Sequence, residues 1–224
     1  MPQSENAFTA RIELDVSLRY LLYLPAGIEE RGDWPLILFL HGAGERGDDL
    51  SLVLKQGLPR LLHEGLTLPA VVVSPQLPAD QMWAPQVPAV RALLADVMAR
   101  YPIDEDRVTV TGLSLGGAGT CEMVRAYPDT FAAVAPICGP WTRMLVNDQW
   151  ARIPTWVFHG DADPLVPVED SHRLVDELRS RGGEPRLTVF PGVGHNSWDP
   201  AYQDPAVLTW LLQQRRGSGT SVPD

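Results

Sequence analysis

The chain has 224 residues, 45% of them apolar, with 18 basic against 28 acidic side chains and a formal charge of −10. That length suits one globular domain whose core closes without disulfides or metal, and the acidic balance argues against nucleic acid or an anionic membrane as partner. No run of about 20 apolar residues is present to span a bilayer, the opening MPQSEN lacks the basic-then-apolar order of a signal peptide, and Cys121 and Cys138 are too few for a disulfide framework. These features predict a cytoplasmic protein.

Taken in chain order, short apolar runs alternate with helical patterns, which predicts an α/β fold with a mostly parallel sheet. Residues 8–14 and 18–25 read as an opening antiparallel pair. Residues 35–40 (PLILFL) form a continuous apolar run ending in His41-Gly42, as expected of a strand buried on both faces. The pattern repeats at 69–74, 107–111, 131–137, 154–158 and 185–190, for eight strands in all. Amphipathic spacing predicts a helix over 87–101, with Val90, Leu93, Leu94, Val97 and Met98 on one face. Further helices are expected at 116–127, at 169–181 (ended by Gly182-Gly183) and at 205–215. Only about fifteen residues separate the 131–137 and 154–158 runs, too few for an inserted lid. The expectation is one domain over 1–216, with helices on both faces, an open site, and a disordered tail over 217–224.

The chemistry is carried by Gly112-Leu113-Ser114-Leu115-Gly116-Gly117, between the run VTVT and a helix. In a G-x-S-x-G turn the serine sits on a sharp strand-to-helix bend, and small flanking residues let strand and helix approach it. A serine hydroxyl is a weak nucleophile and needs a base. Of the five histidines, His195 lies in the glycine-rich loop PGVGHN after the last strand, where it can reach the serine. His172 falls inside a helix and His63 beside Leu61-Leu62. His41 and His159 end strands before a glycine and read as structural hydrogen-bonders. The base in turn needs a carboxylate to fix its tautomer. In HGDADPLVP, Asp163 is held by Pro164, and Asp161 reads as a turn residue. The order Ser114, Asp163, His195 is that of α/β hydrolases.

An oxyanion hole needs amide donors preset where negative charge develops. Leu115, following the nucleophile, should supply one. The loop His41-Gly42-Ala43-Gly44 should supply the other, through Ala43 with Gly44 as the second choice. Glu45 and Arg46 are expected to order that loop by ion pairing. Trp83, Trp141 and Trp198 fall in loops at the carboxyl edge of the sheet, where open α/β sheets bind ligands, and are candidate pocket walls. No cysteine–histidine cluster has metal-ligand spacing and no dinucleotide or phosphate loop is present, so no cofactor or metal is expected.

These segments resemble the short, lidless carboxylesterases of the α/β-hydrolase superfamily, close to the phospholipase/carboxylesterase and dienelactone-hydrolase-like groups. The resemblance rests on HGAGERGD, SPQ with the following Trp83, GLSLGG, HGDADPLVP and GVGHNSWD, and covers roughly residues 8–216. Relatives with an HGxGERG segment are often labelled predicted peptidases, although this chain lacks a propeller or accessory domain to select peptides. It departs from cysteine-type dienelactone hydrolases in carrying Ser114. The resemblance implies hydrolysis of small, accessible carboxylic esters. The rival readings are a peptidase of the same mechanism and a non-catalytic ligand-binding homologue. Neither the natural ester nor the oligomeric state is legible.

Overall fold

The structure is a computed structural model describing residues 5–10, 13, 15–30, 32–140 and 146–217. Among these, seven strands form one sheet: β1 (Arg19–Tyr23), β2 (Trp34–Leu40), β3 (Val71–Gln76), β4 (Ile103–Leu113), β5 (Ala133–Ile137), β6 (Trp156–Gly160) and β7 (Arg186–Phe190). Their spatial order is β1-β3-β2-β4-β5-β6-β7. All neighbours are parallel except β1, which runs antiparallel to β3 with Leu21 opposite Ser74.

The seven described strands correct the expectation of eight. Among the described residues the opening antiparallel pair is not seen, and β1, an edge strand, pairs with β3. Residues 8–10 carry no strand and Phe8 is 91% exposed, while Arg11, Ile12 and Leu14 lie outside the described residues. Of the expected tail, residues 218–224 also lie outside them.

Strands β2, β3 and β5 are buried on both faces, so each alternate side chain enters a different core. Leu36, Leu38 and Leu40 of β2 join Val71, Val73, Val108 and Val110 on one face. There they meet α2 (Trp83–Arg100), α3 (Leu115–Ala126) and α5 (Val168–Ser180) through Val90, Leu94, Met123, Leu174 and Leu178. Ile37 and Phe39 point the other way, towards α1 (Gly57–His63), α6 (Trp198–Gln203) and α7 (Pro205–Gln213) through Leu58, Tyr202 and Leu208. The period-two alternation of an all-apolar strand thus requires helices on both sides. Between β5 and β6 the described residues hold one short helix, α4 (Asp148–Ala151). The carboxyl ends of β2, β4 and β6, the last separated from β4 by β5, deliver at one edge of the sheet the loops that begin at His41, Ser114 and Asp161.

Candidate active site

Ser114 stands between β4 and α3 with φ 52° and ψ −116°, a left-handed setting that costs a non-glycine residue about 1–3 kcal/mol. Its amide donates to the Ile137 carbonyl of β5 at 2.9 Å, which pins the bend from the neighbouring strand. A Cβ at Gly116 would collide with the Leu40 and His41 carbonyls, and one at Gly112 with the Gly116 carbonyl. The two glycines of the motif therefore permit the start of α3 to sit against the end of β2.

The three side chains expected to work together are brought together. Ser114 Oγ lies 2.8 Å from His195 Nε2, and His195 Nδ1 lies 2.7 Å from Asp163 Oδ2. The carboxylate faces Nδ1, so that nitrogen carries the ring proton and Nε2 accepts from the serine hydroxyl. His195 is partly exposed whereas the Asp163 side chain is buried. Burial opposes charge on Asp163, but the Val166 amide, His195 and the Leu165 amide together hold its carboxyl below the usual range. The two amides reach Oδ1 at 3.0 and 2.8 Å. Asp161 does bind backbone, accepting from the Gly192 amide at 2.6 Å, and so ties its loop to the one bearing His195.

His159 is a partner of Asp163 that the sequence placed only as a nearby hydrogen-bonder. Its Nε2 faces the Val166 carbonyl at 3.0 Å and Asp163 Oδ2 at 3.2 Å, and its Nδ1 lies 2.6 Å from Ser171 Oγ. Both groups at Nε2 are acceptors, so Nε2 carries the proton and Nδ1 accepts from Ser171. The only sequence signal for this role was a histidine at a strand end before glycine.

Ala43 opens a 3-10 turn (Ala43–Glu45) and Leu115 is the first residue of α3, so each amide is among those a helix leaves without an internal acceptor. Glu45 and Arg46 do not pair with each other. Arg46 Nε donates to the Ala43 carbonyl at 3.0 Å. Glu45 is buried, which raises its pKa, and its Oε2 has no hydrogen-bond partner. At Arg46, ion pairing is thus replaced by a side chain gripping loop backbone.

Trp83 does not wall a pocket. It is 2% exposed, packs in the core beneath the loop and donates Nε1–H to the His41 carbonyl at 3.1 Å. Its position at the start of α2, facing Gly119 of α3, puts it inside the helix layer. Trp198 stands edge-on to His195, ring centroids 5.4 Å apart, and donates to Gln56. Trp141 lies outside the described residues.

Cys138, another non-glycine residue at positive φ (40°), presents its sulfur within 4.8 Å of ligand atoms of Asp163 and His195. Burial pushes its thiol up to about 12, so at neutral pH it is protonated and a poor metal ligand.

Residues 79–205, more than half of the chain, match the dienelactone hydrolase family. The chain belongs to that family. It is 28% identical over 226 aligned positions to a poly(3-hydroxyoctanoate) depolymerase of Pseudomonas fluorescens, covering 88% of this chain and 80% of that protein. A crystal structure of a thermostable esterase superposes with a TM-score of 0.78 at 34% identity, covering 90% of this chain but 60% of the longer esterase. A carboxylesterase of Arabidopsis thaliana is 26% identical over 52% of each chain. These relatives place the family member among ester-cleaving α/β hydrolases. Among its described residues no helix is long and apolar enough to cross a membrane.

Proposed function

We propose that the protein is a serine carboxylesterase that cleaves small, accessible carboxylic esters through an acyl-enzyme on Ser114. The observation that carries the reading is the unbroken chain Ser114 Oγ–His195 Nε2–Asp163, at 2.8 and 2.7 Å, on a strained turn. Ser114 attacks the ester carbonyl as its proton passes to His195 Nε2, and the amides of Ala43 and Leu115 hold the oxyanion. The tetrahedral adduct collapses, and the alcohol leaves with the proton from His195. Water then gives its proton to His195 and attacks the acyl group, and the same amides serve again. Asp163 stays ionised and steadies the imidazolium.

The short β5–β6 connection and the exposure of His195 support an open site. Such a site suits short acyl groups, because a methylene contributes its roughly 0.8 kcal/mol only when removed from water. The edge of Trp198 beside His195 is a candidate wall. One sheet shared by two cores supports a single domain over 1–216, and two buried free thiols support a cytoplasmic setting.

A fluorophosphonate probe should label Ser114 in the wild type and fail to label Ser114→Ala. The variant should lose on the order of 10⁶ in kcat with its fold intact, as loss of such a nucleophile does elsewhere. Retention of a tenth of wild-type turnover would remove Ser114 from the role. Matched ester and anilide substrates separate an esterase from a peptidase of the same mechanism.

A further inference from the structure

The buried histidine at the end of β2 has no part in the reaction as written, yet both of its ring nitrogens are engaged. His41 Nδ1 lies 2.6 Å from the carbonyl oxygen of its own neighbour, Gly42, and the Leu77 amide donates to Nε2 at 2.9 Å. An amide can only donate, so Nε2 is the bare nitrogen and Nδ1–H donates to Gly42 O. The residue is 1% exposed, and burial lowers its pKa to about 4, so it holds this neutral tautomer at neutral pH.

The Gly42 carbonyl and the Ala43 N–H belong to one planar trans peptide and point in opposite directions. A ring that holds the carbonyl down therefore turns the Ala43 N–H out. The other side of Gly42 is packed as well: a Cβ there would meet the side chain of Leu113, the residue before the nucleophile. The loop is further tied to the end of β3 by Gln76 Nε2 on the Glu45 carbonyl (2.9 Å) and by the Gly47 amide on the Leu77 carbonyl (2.8 Å).

We propose that His41 is a positioning residue for the oxyanion hole, setting the direction of the Ala43 amide through its hydrogen bond to the Gly42 carbonyl. Without that bond the peptide is free to turn over and present its carbonyl to the developing negative charge. The proposal rests on Ser114 being the nucleophile.

Two substitutions separate this role from simple anchoring. Asparagine places an amide nitrogen near the position of Nδ1, so His41→Asn can keep the donor to Gly42 O. Glutamine reaches the position of Nε2, so His41→Gln can keep the tie to the Leu77 amide but loses that donor. Loss of one oxyanion donor costs about 10²–10³ in kcat elsewhere. His41→Gln is expected to lower kcat by about 10² with KM within about threefold, and His41→Asn to stay within about tenfold of wild type. Affinity for an alkylboronic acid, which forms a tetrahedral adduct on the serine, should fall in parallel with kcat/KM. A glutamine variant as active as the asparagine variant would overturn the proposal. If neither variant folds, the ¹⁵N shifts of His41 in the wild type decide: Nδ1–H supports it and Nε2–H overturns it. Fluorophosphonate labelling of wild-type Ser114 keeps the two readings apart. Absent labelling sinks the nucleophile, whereas labelling with the wrong ranking sinks only the role of His41.

Discussion

Strand β6 ends in His159-Gly160 and β2 is followed at once by the same dipeptide, His41-Gly42, and in both the histidine is buried with both ring nitrogens engaged. The tautomers are opposite. At His41 the proton sits on Nδ1, because an amide from β3's end points at Nε2. At His159 it sits on Nε2, because a carbonyl and a carboxylate lie there and Ser171 supplies a hydroxyl to Nδ1. On the proposed mechanism, one ring fixes a backbone donor where negative charge develops, and the other braces the carboxylate that faces His195. The neighbours, and not the dipeptide, decide which nitrogen gives and which receives.

The sharpest way to break this comparison is at the carboxylate. Asp163→Asn should lower kcat by about 10⁴, as the equivalent change does in a serine protease by imposing the wrong tautomer. Asp161→Asn should be mild, since its remaining oxygen can still accept from the Gly192 amide. The reverse ranking in folded protein would move the acid to Asp161 and leave His159 bracing nothing.

The two glycines that follow the histidines should also differ. A methyl at Gly160 would run into the Val193 and Gly194 carbonyls, backbone of the loop that carries His195. At Gly42 the nearest obstacle is the end of the Leu113 side chain, at 2.8 Å, which can give way. Gly160→Ala is expected to lower kcat about 10²-fold, the cost of misplacing a reacting group by roughly an ångström, and Gly42→Ala to cost less. Steady-state kinetics on both would show it, and equal losses would mean that loop placement does not separate the sites.

At position 159 the ranking of amides should invert. Glutamine can keep a donor near Nε2 and asparagine cannot, so His159→Gln should stay near wild type while His159→Asn loses about tenfold in kcat, within the range of an oriented hydrogen bond to a charged group. The same ranking at 41 and 159 would abolish the distinction between their tautomers.

The smallest effect is on stability. Burial, offset in part by the Gly42 carbonyl and reinforced by Arg46, holds His41 near 4 against an ordinary value of 6.5. The unfolded chain then takes up a proton before the folded one does, so stability should fall as pH drops from about 6.5 to about 4 and then level. At about 1.4 kcal/mol per pH unit the loss is at most about 3 kcal/mol. Glu45, whose pKa is raised by burial, acts in the opposite sense above its ordinary value. Urea midpoints at pH 7 and 4.5 should converge in His41→Asn relative to wild type. An unchanged difference would mean that His41 titrates as it does in the unfolded chain.

The meeting of Ser114, His195 and Asp163 was legible because each follows a strand end and the spacing of turn residues marks those ends. Gly112 and Gly116 announced the bend, Pro164 the fixed acid, and PGVGHN the reaching loop. The opening pair misread because strand-like composition over 8–14 says nothing of partners: β1 and β3 pair across some fifty residues of sequence, beyond any local pattern. Trp83 misread because it sits where a loop gives way to a helix, and one turn decides between wall and core. The tautomers of His41 and His159 were illegible for the same reason, since Leu77 and Ser171 meet those rings only in the fold.

The loops that form the site hang from β2, β4, β6 and β7, and the tether of Ser114 comes from β5. Parallel neighbours joined by crossovers are distant in sequence, and such contacts form slowly. A chain emerging from synthesis, or refolding from denaturant, can therefore bend its elbow at Ser114 well before it has a base to use it. On the proposed mechanism, hydrolytic activity becomes a clock for the last third of the molecule, starting when β6 and β7 dock and silent until then.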